Sequence, residues 1–178
     1  MESKTRKAVF LDRDGTIIVD KVYLNDPSGV EFFLGVPEAL AKLQKAGFLL
    51  IVITNQSGIA RGLVTEANLK AIHDRMQTLL KVHGVIIDAF YHSPHAADSN
   101  HPMRKPNPGM FVLAAQEHRI SLTESFMIGD KAIDVEAGQR AGAKSILLST
   151  TLETTDCRPD FTAYTLPSAV QWILEKAS

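Results

Sequence analysis

The chain has one cysteine and one tryptophan in 178 residues and no surplus of either charge. With no second cysteine to pair with Cys157, an intramolecular disulfide is excluded, and so is the small disulfide-stapled secreted class. Lys plus Arg total 19 against 20 for Asp plus Glu, a net charge of −1, so no global basic field exists to hold nucleic acid or an anionic membrane. A charged ligand must be captured locally. Long apolar runs are missing as well. The most apolar stretch, Phe48–Ile53, falls far short of the roughly 20 residues that cross a bilayer, and Met1–Lys7 lack the apolar core of a signal peptide. There is no internal repeat, linker or low-complexity tract. The expectation is one cytoplasmic domain over residues 1–178 without nucleic-acid or membrane partners, its size and near-neutral charge fitting a monomer. With 45% hydrophobic and 22% charged residues it can bury a sizeable core.

What is present is a regular alternation of elements. Ala8–Leu11 is a short apolar run stopped by Asp12-Arg13-Asp14-Gly15, the pattern of a strand buried on both faces. Pro37–Ala46 carries apolar Ala39, Leu40, Leu43 and Ala46 between a helix-starting proline and Gly47, which predicts a helix. Phe48–Ile53 comes next as a strand, and Thr65 opens a helix with Leu69, Ile72, Met76 and Leu79-Leu80 on one stripe. Further strands are predicted at Val85–Tyr91, Ser125–Ile128 and Ser145–Leu148, and helices at Pro108–His118, Val135–Ala141 and Pro167–Lys176. The fold class is α/β, a doubly wound, mostly parallel sheet with helices on both faces. Between Gly15 and Thr54 there is room for one helix and a loop, so no large inserted domain fits. Two long irregular stretches, about Val19–Leu34 and about His92–Asn107, are candidate functional loops. His73, His83 and His118 are read as surface or half-buried, and Phe161, Tyr164 and Trp172 as packing residues.

Open α/β sheets bind ligands beyond the carboxyl ends of their strands. There stand Asp12 and Asp14 after the first strand, Thr54 and Asn55 after the second, and Asp130, Lys131 and Asp134 after the fourth, while Lys105 precedes the third helix. Carboxylates crowded into one crevice repel one another unless a cation neutralises them, and oxygen ligands beside a phosphate site suit Mg²⁺. Asp12 is placed to attack phosphorus in line and form an aspartyl phosphate. Asp14, two residues on, would protonate the leaving oxygen and later activate water. The Thr54 hydroxyl, nearby backbone N–H groups and the Lys105 ammonium would hold the phosphoryl oxygens. Asp130 is the remaining protein ligand for the metal, with Asp134 orienting its waters or Lys105.

Phe10-Leu11-Asp12-Arg13-Asp14-Gly15-Thr16, Thr54-Asn55-Gln56-Ser57-Gly58, Arg104-Lys105-Pro106 and Gly129-Asp130-Lys131-x-x-Asp134 resemble the four ordered motifs of haloacid dehalogenase superfamily phosphatases. Within that superfamily, Asn55–Gly62 and Asn107–Met110 are similar to the subfamily of heptose bisphosphate and histidinol phosphate phosphatases. The resemblance implies a Rossmann-like fold without a large cap and Mg²⁺-dependent hydrolysis of a sugar phosphate, with a heptose 1,7-bisphosphate as the expected substrate and histidinol phosphate as the alternative. It implies Asp12 as nucleophile and Asp14 as acid–base, with Mg²⁺ on Asp12, the Asp14 carbonyl and Asp130. Thr54 and Lys105 would steady the phosphoryl group. Arg104, Lys131 and the Asp20–Tyr23 segment would meet the rest of the substrate, joined as candidate contacts by Arg13, Asn55, Gln56, Ser57 and Arg61. A phosphoryl-receiving signalling domain uses similar residues, but that family carries its phosphorylated Asp after the third strand, where this chain has Tyr91-His92-Ser93.

Phosphatases of the heptose bisphosphate kind often hold a structural Zn²⁺ on three cysteines and a histidine before the Arg-Lys pair. Here the stretch reads Ser93-Pro94-His95 and His101-Pro102-Met103, so only His95 matches, and His92, His95 and His101 form an incomplete set without thiolates. No structural zinc is expected. Metal analysis of protein purified without a histidine tag should find none at stoichiometric level. Near-stoichiometric zinc that chelators remove with loss of stability would overturn that expectation.

Overall fold

The computed structural model describes residues 5–150 and 158–177, so Cys157 lies outside the described residues. In chain order the elements are β1 (Ala8–Leu11), α1 (Val36–Lys45), β2 (Leu49–Asn55), α2 (Glu66–Lys81), β3 (Ala89–Ser93), α3 (Gly109–His118), β4 (Phe126–Gly129), α4 (Ala132–Ala141), β5 (Lys144–Leu148), β6 (Phe161–Ala163) and α5 (Leu166–Ala177). The six strands make one parallel sheet in the order β3-β2-β1-β4-β5-β6. Strand order reverses at β1, which pairs with β2 on one side and β4 on the other. The crevice for a ligand therefore opens over the carboxyl end of β1.

Side-chain alternation divides the core in two. Val9, Leu11, Leu50 and Val52 pack with α1, α2 and α5, while Ala8, Phe10, Leu49, Ile51 and Ile53 pack with α3 and α4. On the second face the Phe10 and Phe111 rings meet at 4.9 Å, seating α3 directly behind the loop that delivers Lys105. Between β1 and β2 the described elements are α1 and one short 3-10 turn at Pro27–Gly29, which leaves no room for a cap. No helix among the described residues is long and apolar enough to cross a membrane.

The third strand starts at Ala89 rather than Val85. The preceding backbone is taken by glutamine side chains instead of a neighbouring strand: Gln77 bonds the Val85 carbonyl and the Ile87 N–H, and Gln44 accepts from the Ile86 N–H. The fourth helix begins at Ala132, earlier than the apolar pattern indicates, because the Asp134 carboxylate accepts the Lys131 N–H at 3.0 Å and caps the first turn. Strand β6 has no counterpart in the sequence pattern, since three residues are too few to show a period. Phe161 and Trp172 do stack, at 4.9 Å, whereas Tyr164 is 62% exposed. His73 is buried, not at the surface: it lies four residues after Leu69 on the apolar stripe of α2.

Candidate active site

β1 ends inside the sheet, and the chain must turn at once. The Arg13 carbonyl accepts from the N–H groups of Thr16, Ile17 and Ile18 at 3.4, 2.9 and 3.1 Å, and Gly15 takes φ +80° to close the turn. A Cβ at Gly15 would stand 2.3 Å from Asp130 Oδ2. Gly15 is thus required twice, for the sign of φ and for the approach of the fourth-strand carboxylate. Gly129 serves the same end, because a Cβ there would stand 2.3 Å from the Asp134 Cβ and push the first turn of α4 away.

The loop before α3 drives Lys105 into this crevice, where it is 2% exposed. Its ammonium lies 2.7 Å from Asp12 Oδ1, 2.7 Å from Asp134 Oδ1 and 2.8 Å from the Ile53 carbonyl, one acceptor for each N–H. Burial pulls the ammonium toward its neutral form, and the two carboxylates outweigh that pull and hold it charged well above the usual lysine range. The Asn55 side chain fixes the same residue by its backbone, accepting the Lys105 N–H at 3.1 Å and donating to its carbonyl at 3.0 Å. Asn55, expected as a substrate contact, is occupied with placing Lys105.

Asp14 is held by different partners. Arg13 donates to it in a fork, Nε to Oδ2 at 3.0 Å and Nη2 to Oδ1 at 3.1 Å. Gln56 Nε2 donates to Asp14 Oδ2 at 3.0 Å and to Thr54 Oγ1 at 2.8 Å. Burial raises the Asp14 carboxyl above its ordinary range, the Arg13 charge opposes this, and Asp12 adds to it. Arg13, expected as a substrate contact, is 1% exposed, with its guanidinium engaged by Asp14 and His73. A side chain so enclosed is placed to support the Asp14 carboxylate from behind.

Asp12, Asp130 and Asp134 each offer a carboxylate oxygen, all within 4.8 Å of one another, the one such cluster among the described residues. Asp130 Oδ1 is buried and has no hydrogen-bond partner. Burial first, then the Asp12 charge, pushes the Asp130 carboxyl up to about 7 against the pull of Lys131. Hard oxygen donors with one left orphaned are what a small divalent cation neutralises. Asp134 is the least free of the three, its Oδ1 on Lys105 and its Oδ2 on the Lys131 N–H.

Around the mouth, Lys131 Nζ lies 3.6 Å from Asp20 Oδ2, and Asp20 Oδ1 caps the Val22 N–H. Val22 and Tyr23 both take left-handed backbone, with φ 45° and 55°, a costly pair for non-glycine residues. The Arg61 guanidinium sits 5.6 Å over the Tyr23 ring. Arg104 Nη1 donates to the His95 carbonyl at 3.0 Å. Ser57 is half-buried at the head of the same loop as Arg61. The candidate zinc histidines diverge: His92 pairs with Glu66 at 2.9 Å, while the His95 and His101 rings stack at 3.5 Å. On the other side of Asp130, a cavity of about 480 Å³ runs past Gly15 and Thr16 to Phe33, Leu34 and Tyr164.

A carboxylate beside an ammonium, a second carboxylate beside a guanidinium, and a cluster of acidic oxygens at the switch point of a parallel sheet are the arrangement of an α/β phosphohydrolase. A family model described as HAD-hydrolase-like matches residues 102–169. The chain is 44% identical over 147 residues to the D-glycero-beta-D-manno-heptose-1,7-bisphosphate 7-phosphatase of Helicobacter pylori strain J99, covering 82% of this chain and 84% of that one. It belongs to the haloacid dehalogenase superfamily of phosphatases. The enzyme of the same name from Escherichia coli O6:H1 is 40% identical, covering 82% of this chain and 80% of its own. The crystal structure of D,D-heptose 1,7-bisphosphate phosphatase from B. bronchiseptica, complexed with magnesium and phosphate, superposes with a TM-score of 0.83 at 30% identity, covering 96% of this chain and 99% of that one.

Substituting Gly15→Ala is expected to damage the site through Asp130. A positive φ costs an L residue about 1–2 kcal/mol, and displacing a reacting group by an ångström costs on the order of 100-fold in rate. Steady-state phosphatase assays alongside thermal melting check this, and an unchanged turnover would refute the close approach.

Proposed function

We propose that the protein is a D-glycero-D-manno-heptose 1,7-bisphosphate 7-phosphatase working through an aspartyl phosphate. The observation that carries the chemistry is the opposed company of two carboxylates on one turn, Asp12 against an ammonium and Asp14 against a guanidinium and an amide. The substrate class rests on the 40–44% identity to enzymes of that name over four-fifths of the chain.

In this reading an Asp12 carboxylate oxygen attacks the 7-phosphorus, the bond from phosphorus to the sugar oxygen breaks, and Asp14 gives its proton to that oxygen. Water then attacks phosphorus, Asp14 takes its proton, and inorganic phosphate leaves with Asp12 regenerated. Net burial holds the Asp14 carboxyl above its ordinary range, which suits an acid that must carry a proton. Thr54, held by Gln56, and Lys105, held by Asn55, line the phosphoryl position. Asp12, Asp130 and the Asp14 carbonyl would hold Mg²⁺, which supplies positive charge against the repulsion between carboxylate and phosphate. Asp134 keeps Lys105 in place. Arg104, Lys131, Arg61, Ser57 and the Asp20–Tyr23 turn form the rim that meets the phosphate left uncleaved, and a planar guanidinium such as Arg104 grips phosphate or paired hydroxyls well.

Asp12→Asn is expected to reduce turnover by several orders of magnitude, roughly 1,000-fold or more, in a chain that still folds, since it removes the nucleophile and almost no volume and leaves an amide oxygen to accept from Lys105, while the charge lost beside that buried ammonium lowers the melting temperature. Activity above about a tenth of wild type would defeat the nucleophile assignment. The substrate is tested by kcat/KM for the α and β anomers of the heptose bisphosphate, histidinol phosphate and a panel of sugar monophosphates. A bisphosphate should lead the ranking by about tenfold or more, with many turnovers per chain. Histidinol phosphate in first place would replace the substrate, and one phosphorylation without release would replace the enzyme with a receiver.

A further inference from the structure

His73 has no part in the reaction as proposed, yet it reaches from α2 to Arg13, the partner of Asp14. Its Nε2 lies 3.4 Å from Arg13 Nη1, and its ring stacks on Phe90 of β3 at 4.4 Å and 15°. A guanidinium nitrogen can only donate, so the contact needs an unprotonated Nε2, with the ring proton on Nδ1. Burial first, and then the Arg13 charge, push the His73 imidazolium down to about 3, so the ring stays a neutral acceptor at working pH.

The geometry makes Arg13 a buried lever. Its side chain is 1% exposed and the Asp14 side chain 18%, so the guanidinium reaches from the interior to a carboxylate at the crevice wall. One edge of the guanidinium, Nε and Nη2, carries Asp14, and the remaining nitrogen, Nη1, meets His73. A planar group gripped on one edge alone can pivot about that edge. A second anchor on a different element, itself clamped by stacking, fixes the plane. Gln56 constrains only Oδ2 of the carboxylate and cannot replace that anchor.

We propose that His73 is a positioning residue for catalysis: through Arg13 it sets the plane of the fork that holds the Asp14 carboxylate toward the leaving-group oxygen. The proposal rests on Asp14 being the general acid. It joins α2 and β3, which carry none of the motif carboxylates, to the proton-transfer step.

The test compares two esters by kcat/KM, which reports the steps up to the aspartyl phosphate. A sugar phosphate has an alkoxide leaving group that must be protonated, while 4-nitrophenyl phosphate leaves with little help from an acid. His73→Leu keeps an apolar body of similar bulk but offers no acceptor, and is expected to lower kcat/KM about tenfold or more on the sugar phosphate and less than about threefold on the aryl phosphate. His73→Gln restores an acceptor oxygen and should recover most of the deficit. Arg13→Lys, which cannot form a fork, should reproduce the ester-selective loss from the other end of the contact. Each variant is assayed below its measured melting transition. Equal losses on both esters, or a glutamine variant no better than leucine, would overturn the proposal. Asp14→Asn is the separate control: if it shows no preference between the esters, the general-acid reading falls on its own, and if it alone shows one, the reading stands and His73 is merely structural.

Discussion

A lysine ammonium sealed inside the sheet edge is the constraint on which the rest of this structure depends. Charge at 2% exposure is tolerable only if every N–H finds an acceptor, and Lys105 finds them on three elements: Asp12 after β1, the Ile53 carbonyl of β2 and Asp134 in the first turn of α4. The bonds thereby knit β1, β2, the fourth helix and the loop before α3 around a single cation. Removing a partner from such a group leaves a buried charge uncompensated, typically about 3–5 kcal/mol, so residues proposed for the phosphoryl pocket also hold the sheet edge together.

Two aspartates separated by one residue are given different surroundings by their neighbours. Asp12 faces the ammonium, while Asp14 is taken by Arg13 and Gln56 and driven upward in pKa chiefly by burial. The chain needs no cap to separate these environments. The tight turn closed on the Arg13 carbonyl does so, with Gly15 making way for Asp130.

The motif residues at the strand ends were legible because buried parallel strands write continuous apolar runs, and the polar residues that end each run must lie at the carboxyl edge. Asp12, Thr54, Asp130 and Asp134 were placed on one edge that way. Side-chain orientation was not legible. Arg13 reads in sequence as a candidate substrate contact because it stands between two motif aspartates, and only packing shows that it points inward. Asn55 read as a ligand contact, yet its amide is occupied by the Lys105 backbone, a pairing across fifty residues that no local pattern encodes. His73 did carry a signal, its place on the stripe Leu69, Ile72, Met76 and Leu80, but a histidine's polarity argued against burial until a partner was in view. Strand β3 began late because glutamine side chains imitate strand neighbours, and β6 was too short to have a period.

The proposed machinery hangs on strands registered in the middle of the sheet, whereas the proposed rim is drawn from the Asp20–Tyr23 turn, the Ser57–Arg61 loop and the loop holding Arg104. Drift in the Asp20–Tyr23 turn or the Ser57–Arg61 loop leaves the bonds of the Lys105 ammonium untouched, whereas Arg104 is tied to Lys105 by the chain itself. In the proposed reading, substrate preference is a modular trait, open to change in two of the three loops with the buried charge network intact. Selection on new phosphate esters would then act on loop residues and leave that network standing.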